Sequence, residues 1–153
     1  WMVTPGNPLK SKAELAPLAE RIAACERLVS DPRIKLTAFE QKLGISYTAN
    51  TLAKVKAKNP HVRFIWVMGA DNLKSFHHWQ KWRTIAETFP IAVIDRPGST
   101  LSYLSSTMAQ AFSQARIDED DAGVLWKKPA PAWVFIHGPR STLSSTALRN
   151  GRK

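Results

Sequence analysis

The run FIWVMGADNLKSFHHWQKW, Phe64 to Trp82, carries the pattern on which the fold turns. Phe64 to Met68 are continuously apolar, which is how a strand reads when both its faces are covered, as in a parallel sheet. The run stops at Gly69-Ala70-Asp71. Leu73, Phe76, Trp79 and Trp82 then recur at helical spacing, continued by Ile85 and by Phe89, before Pro90 closes the segment. IAVID (91–95) is a second short apolar strand. A strand, a helix and another fully apolar strand make a parallel crossover unit.

The same alternation extends in both directions. WMVT (1–4) reads as the end of a strand, and TPGNP as a loop. Leu15, Leu18, Ile22, Cys25 and Val29 then fall on one helical face. Ser11 and Glu14 form a capping box before that helix, with Pro17 as the first-turn residue of a later start. RIKLTAFE (33–40) points Ile34 and Leu36 inward as a short strand ending near Gly44, and a helix from Thr48 carries Leu52 and Val55 inward until Pro60 stops it. After RPGS, Leu101, Leu104, Met108 and Phe112 mark a further helix; DEDDAG (118–123) is a solvated acidic loop, and AWVFIH (132–137) is the last strand. Strand and helix thus alternate five times, which predicts a Rossmann-like, doubly wound parallel α/β sheet.

Both ends read as cut. Position 1 is Trp rather than an initiator Met, and the chain closes on STALRNGRK, a helix start of two turns. The 153 residues are read as a single domain truncated at each end, with the sheet incomplete at the N-terminus. No apolar run approaches the roughly 20 residues of a membrane helix. One cysteine, Cys25, cannot form an internal disulfide, so a cytoplasmic protein is expected. The formal charge of +10 favours an anionic partner without choosing among nucleic acid, nucleotide phosphates and acidic surfaces.

Ligands of open α/β sheets bind beyond the carboxyl ends of the strands. The segments there are TPGNPLK, GISYTANT, GADNLKSFHHW, DRPGS and HGPRSTLSSTALR. Lys10, Arg96 and Arg140 stand beside turns and Arg149 a little further on, a clustering that suits a polyphosphate. The helix starts at Thr48 and at Ser144 or Ser145 would add N–H donors. Taken singly, each of these is as well explained as a surface cation or an ordinary cap. Asp71 can accept hydrogen bonds from ribose hydroxyls or simply cap the next helix. Gly69 would allow a ligand close to the backbone. Trp79 is either core or a flat face for an electron-poor ring. His61, His77, His78 and His137 lack metal-ligand spacing, so no metal site is expected on the chain. Walker, GxGxxG and Ser-His-Asp patterns are not present in the sequence.

The words PGNPLK, YTANTL, MGADNLKSFHHWQKW, IAVIDRPG and LSSTALR occur in an order that resembles the bacterial nicotinate-nucleotide adenylyltransferases of the nucleotidylyltransferase superfamily. The resemblance implies transfer of AMP from ATP, with Mg²⁺, to nicotinic acid mononucleotide, giving deamido-NAD and pyrophosphate. It implies that Trp79 stacks on the nicotinate ring, that Tyr47, Thr48 and Gln80 hold the nicotinate carboxylate, and that Asn7 and Lys10 lie along the mononucleotide. On the ATP side it implies Gly69, Asp71 and Arg96 at the adenosine, and Ser144, Ser145, Thr146 and Arg149 at the triphosphate. The family's first-strand loop ending in His-x-Gly-His, which supplies its main catalytic histidines, is not among these residues, so no catalytic residue is assigned. Without that strand two parallel edges would be uncovered and would invite association into a homo-oligomer, and the chain by itself is expected to be impaired. Competing readings are an adenylyltransferase for nicotinamide mononucleotide or phosphopantetheine, a truncated paralogue, and a non-catalytic nucleic-acid-binding module with a steep salt dependence.

Overall fold

The computed structural model describes residues 1–6, 15–96 and 103–138. They fall into two units, Trp1–Pro60 and His61–Lys153.

In the first unit, the helix α1 (Leu18–Leu28) starts after Pro17, the later of the two starts the sequence allowed. The Ser11–Glu14 alternative lies outside the described residues. The two expected strands of this unit reduce to one parallel bridge between Met2 and Thr37, held by Val3 N–H to Thr37 O at 2.8 Å and Thr37 N–H to Trp1 O at 2.9 Å. Ile34 is 46% exposed and does not point inward. The chain instead turns into α2 (Phe39–Leu43), one turn of helix closed by Gly44 in the left-handed region at φ 61°. Glycine adopts that conformation without the Cβ penalty other residues meet. Next comes α3 (Thr48–Lys58), which buries Leu52, as its apolar spacing requires, together with the polar Thr51, while Val55 is only half-buried.

The second unit is built on three parallel strands, β1 (Trp66–Gly69), β2 (Ile91–Ile94) and β3 (Trp133–Ile136), in the order β1-β2-β3. Trp66 stands opposite Ile91 and Ile91 opposite Trp133; at the other end Gly69, Ile94 and Ile136 align. This is one βαβαβ half of the expected Rossmann-like architecture. Because side chains alternate across a strand, Trp66, Met68, Ile91, Val93, Trp133 and Phe135 share one face. Aromatic contacts show what covers it: Trp79 meets Trp66, while Tyr103 stacks on Phe135 at 3.8 Å and meets Trp133 edge-on. The opposite face presents Ala92 and Val134, on which Leu125 packs from a 3₁₀ turn at Ala122–Lys127. That turn covers β2 and β3 but stops short of Val67, which is 58% exposed. The coverage of both faces expected from the apolar run therefore holds for β2 and β3 and fails at β1.

The helix expected from Leu73 to Phe89 is broken into α4 (Ala70–Leu73), a 3₁₀ turn at Phe76–His78, and α5 (Trp82–Thr88). The apolar spacing persists through the break, with Leu73, Phe76, Ile85 and Phe89 all buried. The break falls where His78 N–H and Trp79 N–H bond three residues back and Lys81 takes φ 53°. The helix expected from Leu101 likewise shortens to α6 (Thr107–Ala111), because the Ser106 hydroxyl accepts the Ala109 N–H and caps it there. Leu104 consequently lies outside the helix and is 55% exposed.

Candidate functional site

Parallel strands bring their carboxyl ends to one edge of the sheet. There Gly69 ends β1, Asp95 and Arg96 follow β2, and His137 follows β3. Asp71 lies in the first turn of α4, yet the residue at the cap is Gly69 and no side chain caps that helix, so the simple capping role is not the one Asp71 plays. Its carboxylate turns to the neighbouring strand end, with Oδ1 3.5 Å from Arg96 Nε. The pair folds over Gly69: a Cβ there would lie 2.5 Å from Asp71 Oδ1 and 2.8 Å from Arg96 Nε. Gly69 has ordinary extended angles, φ −74° and ψ 151°, so glycine is needed for room and not for conformation. Both partners remain solvated, at 60% and 43% side-chain exposure, and such a pair is worth only ~0–1 kcal/mol. A ligand offering better partners can therefore separate it at little cost.

Trp79 is half-buried within a chain of edge-on aromatic contacts that runs from Trp66 to Phe112. It meets Trp66 at 6.5 Å and Phe76 at 5.3 Å; Phe76 meets Trp82 at 6.0 Å, and Trp82 meets Phe112 at 6.0 Å. The core and ligand readings of Trp79 are compatible, since packing fixes the indole while leaving part of it accessible. The indole N–H groups of Trp66 and Trp79, and Nδ1 of His77, are buried without a hydrogen-bond partner among the described residues. Gln80 is exposed immediately before the left-handed Lys81. His77 and His78 sit 3.8 Å apart, ring to ring, and no group of three metal-binding side chains forms among the described residues.

At the third strand end, the acidic segment is not merely solvated. The Glu119 carboxylate accepts the His137 backbone N–H at 2.6 Å and also hydrogen-bonds the imidazole Nδ1. The hydrogen bond from His137 holds the Glu119 carboxyl below its usual range. Asp118, Asp120 and Asp121 stay exposed. Sequence reasoning missed this contact; the signal was the position of His137 directly after a strand.

In the first unit, Tyr47 and Thr48 begin α3. Tyr47 is 44% exposed and provides no side-chain cap, and its carbonyl accepts the N–H groups of Asn50 and Thr51. The N–H groups of Thr48 and Ala49 precede the first intrahelical bonds. The remaining expected residues, Asn7, Lys10, Arg140, Ser144, Ser145, Thr146 and Arg149, lie outside the described residues.

A parallel α/β sheet that gathers a glycine, a carboxylate and a guanidinium at the carboxyl ends of its strands places them where α/β proteins of this class bind their ligands. The chain belongs to the Cytidylyltransferase-like family, which matches residues 1–151 and so spans both units. It is 91% identical over its whole length to a protein of Agrobacterium fabrum (strain C58 / ATCC 33970) named "Probable nicotinate-nucleotide adenylyltransferase", of which it covers 82%. Proteins of the same name from Rhizobium etli (strain ATCC 51251 / DSM 11541 / JCM 21823 / NBRC 15573 / CFN 42) and Brucella abortus (strain 2308) are 78% and 66% identical. Those matches take in 99% and 97% of this chain and 79% and 77% of theirs.

Proposed function

We propose that this protein is a nicotinate-nucleotide adenylyltransferase, joining the adenylyl group of ATP to nicotinic acid mononucleotide and releasing pyrophosphate. The observation that carries this reading is the cluster of Gly69, Asp71 and Arg96 at the strand ends, in a chain 91% identical to a relative of that name. In this reading Asp71 accepts hydrogen bonds from the ATP ribose, the adenosine lies over Gly69, and Arg96 turns from Asp71 toward the nucleotide. Trp79 offers an indole face to the cationic nicotinate ring, an attraction of ~0.5–2 kcal/mol. The family resemblance assigns Tyr47, Thr48 and Gln80 to the nicotinate carboxylate. Asn7 and Lys10 belong to the mononucleotide, and Ser144, Ser145, Thr146 and Arg149 to the triphosphate, where hydroxyls, N–H groups and a guanidinium together suit phosphate oxygens.

The chemistry is an in-line displacement at the α-phosphorus: an oxygen of the mononucleotide phosphate forms the new P–O bond as the bond to pyrophosphate breaks. Mg²⁺ enters with ATP as part of that substrate, neutralising phosphate charge. The residues named here bind and orient the two nucleotides, which is the larger part of catalysis in such transfers. No helix among the described residues is long and apolar enough to cross a membrane, and a single free cysteine suits the cytoplasm.

The test is pyrophosphate release by the full-length protein from ATP with nicotinic acid mononucleotide, nicotinamide mononucleotide or phosphopantetheine as acceptor. Turnover with the acid and a loss of about tenfold or more with the amide is expected, since the amide removes a charged hydrogen-bond partner. Equal use of both, or preference for phosphopantetheine, would overturn the acceptor assignment.

A further inference from the structure

Glu40 is a buried carboxylate that none of these steps uses. It is 5% exposed within α2, and its Oε1 accepts the hydroxyl of Thr51, a fully buried residue, at 3.0 Å. Its own backbone carbonyl accepts the N–H of Ile45 at 2.9 Å. One residue thus holds both ends of the segment Ile45 to Thr51, the near end through its main chain and the far end through its side chain. Gly44 makes the reversal that leads from α2 into this segment.

Inside that clamp lie Tyr47 and Thr48. The Thr51 N–H bonds the Tyr47 carbonyl at 3.2 Å, while the Thr51 hydroxyl, 3.4 Å from the same carbonyl, lies nearer to Glu40. Thr51 is therefore the link between the buried carboxylate and the first turn of α3. Burying a carboxylate carries a desolvation cost that an apolar residue of similar volume avoids, so packing alone does not account for it. A directional hydrogen bond between two buried groups admits one placement of the helix start, where apolar packing would admit several.

We propose that Glu40 is a positioning residue for the acceptor: through Thr51 it fixes the first turn of α3, so that the N–H groups of Thr48 and Ala49 form a preset pair of donors for the nicotinate carboxylate. The proposal rests on the carboxylate-binding role given to Tyr47 and Thr48 above. Donors held in place before the ligand arrives bind it more tightly than donors that must be ordered by it.

The experiment compares Thr51→Val, Thr51→Ser and Glu40→Asp in the full-length protein, measuring kcat and KM for each substrate separately. Thr51→Val keeps the shape and removes the hydroxyl; it should raise KM for nicotinic acid mononucleotide about tenfold and leave kcat and the ATP KM within about twofold. Thr51→Ser keeps the hydroxyl and should behave as the unmodified protein. Glu40→Asp shortens the reach by one methylene while keeping the carboxyl group, and carries the same prediction as Thr51→Val should the valine variant not fold. An unchanged mononucleotide KM, an equal rise in both KM values, or a serine variant as impaired as the valine one would overturn the role of Glu40. The unmodified protein is run in parallel with acid and amide acceptors. If it shows no preference for the acid, the function itself falls, whereas a retained preference with no change in Thr51→Val overturns only the positioning role.

Discussion

Replacing Gly69 with alanine separates the structural from the functional meaning of the strand-end cluster. The backbone angles at Gly69 suit any residue, so the substitution carries no conformational penalty and gains ~0.4–1 kcal/mol by restricting the unfolded chain. Against this, the new Cβ would come within 2.5 Å of Asp71 Oδ1 and 2.8 Å of Arg96 Nε, and the pair must open. Both colliding atoms belong to solvated side chains that can swing away, and losing their pairing costs at most ~1 kcal/mol. The two terms nearly cancel, and Gly69→Ala should unfold within ~1 kcal/mol of the unmodified protein in urea. Function should respond very differently, because the methyl group occupies the space assigned to the adenosine. The ATP KM should rise about 10- to 100-fold, equivalent to ~1.4–2.8 kcal/mol, with the mononucleotide KM unchanged. Stability lowered by more than ~3 kcal/mol would mean that Gly69 is needed for packing and that the Asp71–Arg96 pair is not free to move. An unchanged ATP KM would mean that the room over Gly69 is not a nucleotide site.

Trp79→Phe should keep most of the edge-on packing against Trp66 and Phe76 and lose less than ~1.5 kcal/mol of stability, while Trp79→Ala loses ~1–3 kcal/mol; steady-state kinetics should show the mononucleotide KM rising in both, more in the alanine variant. The Glu119 carboxyl titrates below its ordinary 4.5, so its contact with His137 stabilises the fold above that value and the contribution is lost as pH falls through the lower, folded-state value. Thermal melts should therefore show Glu119→Gln less stable than the unmodified protein near neutrality and the difference shrinking in acid; a constant difference would reject a contact that depends on the ionised Glu119 carboxylate. Lys81 holds a left-handed conformation at φ 53°, so Lys81→Gly should be stabilising by ~1 kcal/mol in chemical denaturation, and Lys81→Val destabilising by at least as much.

Much of the fold was legible because burial of a parallel sheet writes unbroken apolar runs into the chain. Residues 91–94 and 133–136 are such runs, and both form covered strands, β2 between its two neighbours and β3 beside it. The same signal overstated β1, because an apolar run records what a strand can bury and not whether its neighbours reach it; Leu125 reaches Ala92 and Val134 but not Val67. Helical periodicity found the buried positions Leu73, Phe76, Ile85 and Phe89 and missed the break among them. A 3₁₀ turn and a single left-handed residue disturb the spacing too little to register. The alternation read at Ile34 and Leu36 was too short to outweigh the helical turn and glycine that follow it.

For the candidate site the division is similar. Sequence order alone placed Gly69, Asp71 and Arg96 after apolar strands, and the parallel direction of those strands follows from the same pattern. That Asp71 leaves its helix uncapped and reaches Arg96, that the pair closes over Gly69, that Glu119 grips His137, and that Glu40 holds Thr51 were decided by tertiary structure. The physical reason is one of range. Apolar burial is non-directional and additive, so it leaves a periodic trace in the sequence; a hydrogen bond or a steric contact between distant residues depends on a few tenths of an ångström that only the packed chain sets.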